Sequence, residues 1–211
     1  MEKIEMNTQA NASTKTRRLV ATAILAALVV VLQLASSFIK IGSLNLAFVL
    51  LPIVIGTVLY GVRTGAVLGF FFGLITFINC VFNLDPGGYI LFSANPFYTA
   101  IICFTKAILA GVIPGLIYEP FRRKGTEKAS AIGSVLASIS APIVNTATFC
   151  ILTLVWFRDI LLEWSAGYEL YYYILFVLAG INFLVEFAIN VVCSPVIIRL
   201  IKSRRAIHIE D

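Results

Sequence analysis

The chain has 211 residues, of which 60% are hydrophobic and 13% are charged, and it carries a formal net charge of +5. Ordinary soluble domains are about half apolar and about a quarter charged, so this composition excludes that class. It predicts an all-α integral membrane protein whose apolar residues form blocks long enough to cross a bilayer.

Six apolar blocks are candidate spanning helices, since a helix needs roughly 20 largely apolar residues to cross the hydrocarbon core. In chain order they are residues 19–39, 46–60, 61–82, 96–118, 131–156 and 170–201. The second block is short and contains Pro52 and Gly56, so its ends are the least defined. The predicted organisation is a flexible N-terminal tail over residues 1–16, a six-helix membrane domain over residues 17–202 and a tail over residues 203–211.

The first and third blocks carry small residues at helical spacing. Ala23 and Ala27 lie four residues apart and Ala26 widens the same strip, so another helix could approach it closely. A second smooth strip, in the third block, consists of Gly65, Gly69 and Gly73. Each glycine lowers helix propensity by up to about 1 kcal/mol, so close packing inside the bundle is the favoured explanation of the second strip. For the alanine strip, the pattern fits both internal packing and a separate partner.

Two connections on one side of the predicted bundle are rich in turn residues and aromatic rings. Residues 83–98 contain the turn sequences DPGG and NP, with Tyr89 between them. Residues 164–173 read WSAGYELYYY. Two explanations fit these rings: an aromatic belt at the membrane interface, or a lid that covers a ligand.

Charged side chains in the later blocks lie at depths where insertion of a charge costs roughly 2.5–3.5 kcal/mol. Lys106 is about midway along the fourth block, and Glu186 is about midway along the sixth. Asn182, Glu186 and Asn190 are spaced four residues apart, so they share one side of a helix. The opposite charges of Lys106 and Glu186 fit either an ion pair or two ends of one polar site.

Amide side chains complete the predicted binding site. The candidate substrate-binding residues are Asn45, Asn79, Tyr89, Asn95, Lys106, Asn145, Asn182 and Glu186. Hydrogen bonding between helices is the alternative role, since such bonds contribute about 0.6–2 kcal/mol and are common in membrane bundles. That structural role is favoured for Asn190. Convergence on an outward-facing cavity is favoured for Asn45, Asn79, Asn95 and Asn145.

Basic residues collect on one side of the predicted bundle, before the first block, after the second, between the fourth and fifth, and at the end of the sixth. They are Lys15, Arg17, Arg18, Arg63, Arg122, Arg123, Lys124, Lys128, Arg199, Lys202, Arg204 and Arg205. The opposite connections are mainly acidic. The positive-inside rule therefore predicts that both termini are cytoplasmic, and it explains the net positive charge without a nucleic-acid partner.

The sequence has few of the residue patterns on which catalytic sites depend. Four cysteines occur singly in four different blocks, and His208 is the only histidine. The phosphate-loop pattern GxxxxGK[ST] does not occur in the sequence. Enzymes that act inside membranes need clustered histidines, paired acids or an activated serine. We therefore expect no enzyme activity, no ATPase site, no metal and no cofactor.

The chain resembles the substrate-binding S components of energy-coupling factor (ECF) transporters, which import vitamins into bacteria and archaea. The resemblance covers about residues 17–201 and rests on TAILAALVVVLQ, LNLAFVLLPIVIGTVLYGVRTGAVLGFFFGLITF, NPFYTAIICFTKAILAGVIPGLIY, APIVNTATF and INFLVEFAINVVCSPVI. It implies six spanning helices, cytoplasmic termini, a prokaryotic plasma membrane and a binding site near the outer face.

The resemblance also implies roles for particular residues. Ala23 and Ala27 match the motif that docks on a transmembrane coupling subunit driven by two ATPases, and residues 40–45 match a gating loop. The usual ligand contacts of the family fall on Asn45, Asn95, Asn145, Asn182 and Glu186. Lys106 falls on a position that is often basic. Both riboflavin and pantothenate fit these side chains, so the vitamin stays open.

The main alternative is a stand-alone, proton-coupled secondary transporter of a small organic molecule. Glu186 would then be the carboxylate that carries the coupling proton. No inverted repeat is evident between residues 17–82 and 96–201, which weakens this alternative.

Overall fold

The computed structural model describes the backbone of residues 2–38, 40–41, 44–45, 48–178 and 180–209. It describes the side chains of residues 15–36, 48–174, 176, 180 and 183–203. Within these ranges the chain is helical apart from one antiparallel pair of two-residue strands, in which Lys40 faces Asn45. The predicted all-α class is confirmed.

The elements follow one another with short connections. The first part of the chain comprises α1 (Glu2–Phe38), β1 (Lys40–Ile41), β2 (Leu44–Asn45), α2 (Leu50–Tyr60) and α3 (Val62–Val81). The remainder comprises α4 (Pro86–Ala94), α5 (Pro96–Arg123), α6 (Glu127–Trp156), α7 (Arg158–Ser165), α8 (Leu170–Tyr172), a π-helical segment (Tyr173–Leu178) and α9 (Gly180–Ile209).

Five of the described helices are long and apolar enough to cross a membrane: α1, α3, α5, α6 and α9. The remaining predicted span, residues 46–60, corresponds to α2, whose 11 residues rise only about 16 Å. The hydrocarbon core is about 30 Å thick, so α2 alone does not cross it.

The domain limits at residues 16 and 202 stay predictions.

The last predicted span is not one regular α-helix in the described residues. Residues 170–201 are divided among α8, the π-helical segment and α9, which begins at Gly180. A π-helical segment winds more widely than an α-helix and shifts the register of the residues that follow. Because the hydropathy is high on both sides of this segment, the apolar pattern gives no signal for it.

The turn sequences between α3 and α5 start helices. The carboxylate of Asp85 accepts a hydrogen bond of 3.3 Å from the Gly88 N–H, and Pro86 occupies the first position of α4. Aspartate before a helix and proline at its first position are both favoured, because they suit the unpaired N–H groups there. The segment predicted as a loop with two turns is therefore largely the helix α4.

The glycines of α3 form its contact with α5. A Cβ atom on Gly65 would overlap the carbonyl oxygen of Gly111, and one on Gly69 would overlap that of Ala107. The backbones of α3 and α5 are thus close enough to exclude any side chain at these positions. The favoured explanation of the glycine strip, internal packing, is confirmed.

The outer surfaces of the long helices are apolar. Large hydrophobic side chains are exposed on every described candidate span, including Leu19, Phe70, Leu116, Val155 and Val192. In the most apolar 18-residue stretch of α1 only 17% is buried, compared with 56% in the corresponding stretch of α3. Lipid suits such surfaces, and α1 is the most peripheral of the described spans.

Candidate functional site

Glu186 and Asn190 of α9 face the interior of the bundle. Only 8% of Glu186 and 1% of Asn190 is exposed. The Asn190 side chain donates a 2.8 Å hydrogen bond to the backbone oxygen of Glu186, within the same helix. The inward orientation predicted for this side of α9 is confirmed for both residues. The third member of the trio, Asn182, has a side chain outside the described part of the chain.

Asn145 of α6 contacts the Glu186 carboxylate. The Asn145 Nδ2 atom donates to Glu186 Oε2 over 3.5 Å, at the long end of hydrogen-bond geometry. The Asn145 Oδ1 atom is buried and has no hydrogen-bond partner among the described residues. An unsatisfied buried acceptor costs about 1–3 kcal/mol. A ligand O–H or N–H that reached this oxygen would recover that free energy.

Lys106 of α5 supplies a positive charge to the same region. Its Nζ atom lies 4.9 Å from the centroid of the Phe149 ring, and Phe149 is one helical turn beyond Asn145 on α6. The ion pairs of the described side chains join Glu119 to Arg122 and Arg123, and Glu127 to Lys202. Lys106 and Glu186, both described, are therefore not joined in a direct ion pair. The direct ion pair is not observed, and the arrangement as two ends of one polar site stays a prediction.

These side chains lie at similar depth in the bundle. Helices α5 and α6 are joined by residues 124–126, so the start of α5 and the end of α6 are at one end. At 1.5 Å per residue, Lys106 is about 15 Å along α5 from Pro96, and Asn145 is about 16 Å from Trp156. The hydrogen bond between Asn145 and Glu186 brings α9 to the same level. Three helices thus converge on one polar cluster, formed by Lys106, Asn145 and Glu186.

An aromatic layer lies between this polar cluster and the nearer end of the bundle. The rings of Tyr98 and Trp156 stack with centroids 5.0 Å apart and an interplanar angle of 10°. Leu91 of α4 packs with Phe157 and Ile102, and Phe149 and Trp164 border the same hydrophobic group. Sequence reasoning missed Phe149, although its four-residue spacing from Asn145 placed it on the same side of α6.

Other predicted contacts are on α3, α4 and β2. Asn79 is buried near the end of α3, where its backbone oxygen accepts hydrogen bonds from the N–H groups of Leu84 and Asp85. Tyr89 is 40% exposed on α4. Asn45 belongs to β2, and its side chain lies outside the described part of the chain.

Asn95 caps α5. Its Oδ1 atom accepts hydrogen bonds of 3.1 and 3.2 Å from the N–H groups of Phe97 and Tyr98. This contact satisfies two N–H groups at the helix start.

Replacing Asn95 with alanine is expected to lower the free energy of unfolding by about 1 kcal/mol, because the cap of α5 is lost. Asn95→Asp, which keeps an acceptor oxygen, is expected to restore most of that stability. Thermal unfolding in detergent measures both variants. Unchanged stability in Asn95→Ala would contradict a stabilising role of this cap.

The cysteines form one close pair. The sulfur atoms of Cys80 and Cys103 are 4.0 Å apart, and both residues are buried between α3 and α5. The sequence placed them singly, because the contact depends on how two helices pack. No group of three His, Cys, Asp or Glu residues arranged to hold a metal ion occurs in the described part of the chain.

The alanine strip of α1 is divided between surface and interior. Ala23 and Ala27 are exposed, whereas Ala26 is 7% exposed and packs into a hydrophobic core with Val29 and Leu50. All three alanines line a groove of about 770 Å³ along α1 and α3, and none of the three polar-cluster residues borders it. The exposed strip consists of Ala23 and Ala27, with Ala26 at its inner edge.

Comparisons with known proteins identify the family. Residues 17–198 match the family described as "ECF transporter, substrate-specific component". The chain is also similar to the pantothenic acid transporter PanT of Lactococcus lactis subsp. cremoris (strain MG1363), with 27% identity over 197 residues. That match covers 87% of this chain and 92% of the relative. The chain is a multi-pass membrane protein and belongs to the family of substrate-specific components of ECF transporters.

Proposed function

We propose that this chain is the high-affinity, membrane-embedded binding subunit for the uptake of pantothenate. The polar cluster of Lys106, Asn145 and Glu186 carries the proposal, because it offers one ammonium group and two acceptor groups inside an apolar bundle. The similarity to a pantothenic acid transporter over most of the chain supports the same ligand.

The functional groups of pantothenate match the polar cluster. Pantothenate has a carboxylate at one end, a central amide and two hydroxyl groups at the other end. In the proposed complex, the Lys106 ammonium group binds the carboxylate in a charge-assisted contact. The free Asn145 Oδ1 atom accepts a hydrogen bond from the amide or a hydroxyl group, and the Glu186 carboxylate accepts one from a hydroxyl group.

Riboflavin is the less suitable of the two vitamins. It has no carboxylate, so it would leave the Lys106 ammonium group without a direct ion-pair partner. The candidates for further ligand contacts are Asn45, Asn79, Asn182 and Tyr89. We also propose that the hairpin of β1 and β2 gates the site.

We propose that the chain lies in a prokaryotic plasma membrane with both termini cytoplasmic. The predominance of Lys and Arg in the connections at one end supports this orientation. An even number of crossings is then required, so the hairpin of β1 and β2 and helix α2 together form the second crossing. Under this orientation the aromatic layer is on the external side of the polar cluster.

We propose that uptake requires a separate transmembrane coupling subunit and two ATPases. The exposed strip formed by Ala23 and Ala27 on the peripheral helix α1 supports this proposal, because small residues let a partner helix approach closely. In this scheme the chain captures the vitamin, and the partners supply the energy for its release inside.

Isothermal titration of the purified chain in detergent tests the binding function. We expect one-to-one binding of pantothenate without nucleotide, and at least about tenfold weaker binding of its alcohol analogue, pantothenol, because the contact with Lys106 is lost. Riboflavin is the second ligand tested. Binding of riboflavin with no detectable binding of pantothenate would overturn the assignment of the ligand, and failure of both would overturn the proposed function.

The buried carboxylate of Glu186 supports one alternative, a proton-coupled secondary transporter. Uptake into proteoliposomes that contain only this chain distinguishes the two functions. The proposed function expects no pantothenate accumulation under an imposed pH gradient, whereas the alternative expects accumulation that collapses with the gradient.

A further inference from the structure

The groove between α1 and α3 combines an apolar wall with a basic end. Its apolar part includes Ala23, Ala27, Val31 and Val67. Between Arg18 and Val31 the helix α1 rises about 20 Å. One leaflet of the hydrocarbon core is about 15 Å thick, so the groove is long enough to follow an acyl chain through one leaflet.

The basic end of the groove is formed by Lys15, Arg18 and Arg63. The Arg18 guanidinium group extends to the turn between α2 and α3, since a Cβ atom on Gly61 would lie 3.9 Å from it. Arg63, two residues after Gly61, is the second residue of α3. The described ion pairs involve Glu119 and Glu127, so no described carboxylate neutralises these three cations.

We propose that this groove binds one anionic phospholipid, with its phosphate at Arg18 and Arg63 and one acyl chain over Ala23 and Ala27. Arg18 and Arg63 favour a phosphate group as the ligand of the basic end, because the planar guanidinium group forms paired hydrogen bonds with phosphate oxygens. The alanine side chains leave the volume that the acyl chain fills. A zwitterionic phospholipid with the same chains would fill the groove without the same net attraction to its basic end.

The position of the lipid has a consequence for transport, which rests on the proposed function. The acyl chain covers Ala23 and Ala27, the exposed strip proposed to dock on the coupling subunit. The lipid must therefore leave the groove before docking, and it shields the strip while the subunit is free in the membrane.

Native mass spectrometry of the full-length chain in detergent tests the proposal without vitamin or coupling subunit. The probes are dioleoyl phosphatidylglycerol and dioleoyl phosphatidylcholine, which share their acyl chains. We expect one tightly retained phosphatidylglycerol and at least about tenfold weaker retention of phosphatidylcholine. Equal retention of the two lipids, or release of phosphatidylglycerol by inorganic phosphate alone, would overturn the proposal.

Two pairs of variants locate the lipid. Arg18→Gln with Arg63→Gln is expected to remove the preference for phosphatidylglycerol. Arg122→Gln with Arg123→Gln, at an exposed basic site outside the groove, is expected to leave it unchanged. An equal loss in both pairs would show a general surface-charge effect and refute the groove as the site. Ala23→Leu with Ala27→Leu, which fills the groove, is expected to lower retention of both lipids, and undiminished retention also refutes it.

Because these measurements omit pantothenate, their failure leaves the proposed vitamin-binding function standing. Failure of pantothenate binding likewise leaves lipid retention in the groove unaffected. Thermal unfolding of every variant is measured to check that the fold is retained.

Discussion

Replacing Lys106 with methionine is expected to weaken pantothenate binding by about 100-fold or more. The substitution keeps an unbranched side chain but removes the ammonium group proposed to bind the carboxylate. Truncating one partner of a buried charged contact costs about 2–5 kcal/mol, and about 2.7 kcal/mol corresponds to a factor of 100 in the dissociation constant. Isothermal titration of the purified variant with pantothenate measures the effect.

Two comparisons show whether the loss comes from the proposed contact. Lys106→Met should bind pantothenate and pantothenol with nearly equal affinity, because the variant has no group that distinguishes carboxylate from alcohol. Lys128→Met, at an exposed position near the start of α6, should bind pantothenate as tightly as the unaltered chain. Lys106→Met that keeps full affinity and full discrimination would contradict the proposed role of Lys106.

Introducing tryptophan at both Ala23 and Ala27 is expected to abolish uptake and to leave pantothenate binding intact. Both alanines are exposed on α1, so two indole rings would prevent close approach of a partner helix without entering the core. The polar cluster lies on α5, α6 and α9, away from this strip. Uptake is measured with radiolabelled pantothenate in cells that supply the coupling subunit and ATPases, and binding is measured on the purified variant.

Ile24→Trp is the matched control, because Ile24 is 65% exposed on another side of α1 and does not line the groove. It should leave both uptake and binding unchanged. Normal uptake by the double variant would refute docking through Ala23 and Ala27. Loss of uptake in Ile24→Trp as well would also refute it, since the effect would then not depend on the strip.

The helix bounds show where local patterns were sufficient and where they were not. Hydropathy located α1, α3, α5, α6 and α9, because apolar blocks of this length have few alternatives to a spanning helix. It did not show that α2 has only 11 residues or that residues 173–178 are π-helical. Asp85 and Pro86 suit both a turn and a helix start, so these residues alone did not distinguish the two. In the structure they start α4, and Leu91 of that helix packs against Phe157.

For the candidate site, the sequence predicted inward-facing positions but not the orientation of every side chain. A charge or amide at mid-depth indicates an inward-facing position, and this reasoning placed Lys106, Asn145 and Glu186 correctly in the interior or at its edge. It also included Asn95, whose oxygen caps α5. An asparagine before proline at a helix start suits both roles, so its side-chain orientation had to be observed.

By itself the sequence determined that the protein lies in a membrane, which end of the bundle carries the basic residues, and that α1 and α3 have strips of small residues. These properties depend on the order of residues along one helix. Only the tertiary structure decided that the glycines of α3 face α5, that Lys106 lies over Phe149, and that Asn145 contacts Glu186. Those contacts join residues on different helices, and the rotation of each helix about its axis is set by the packing of all of them together.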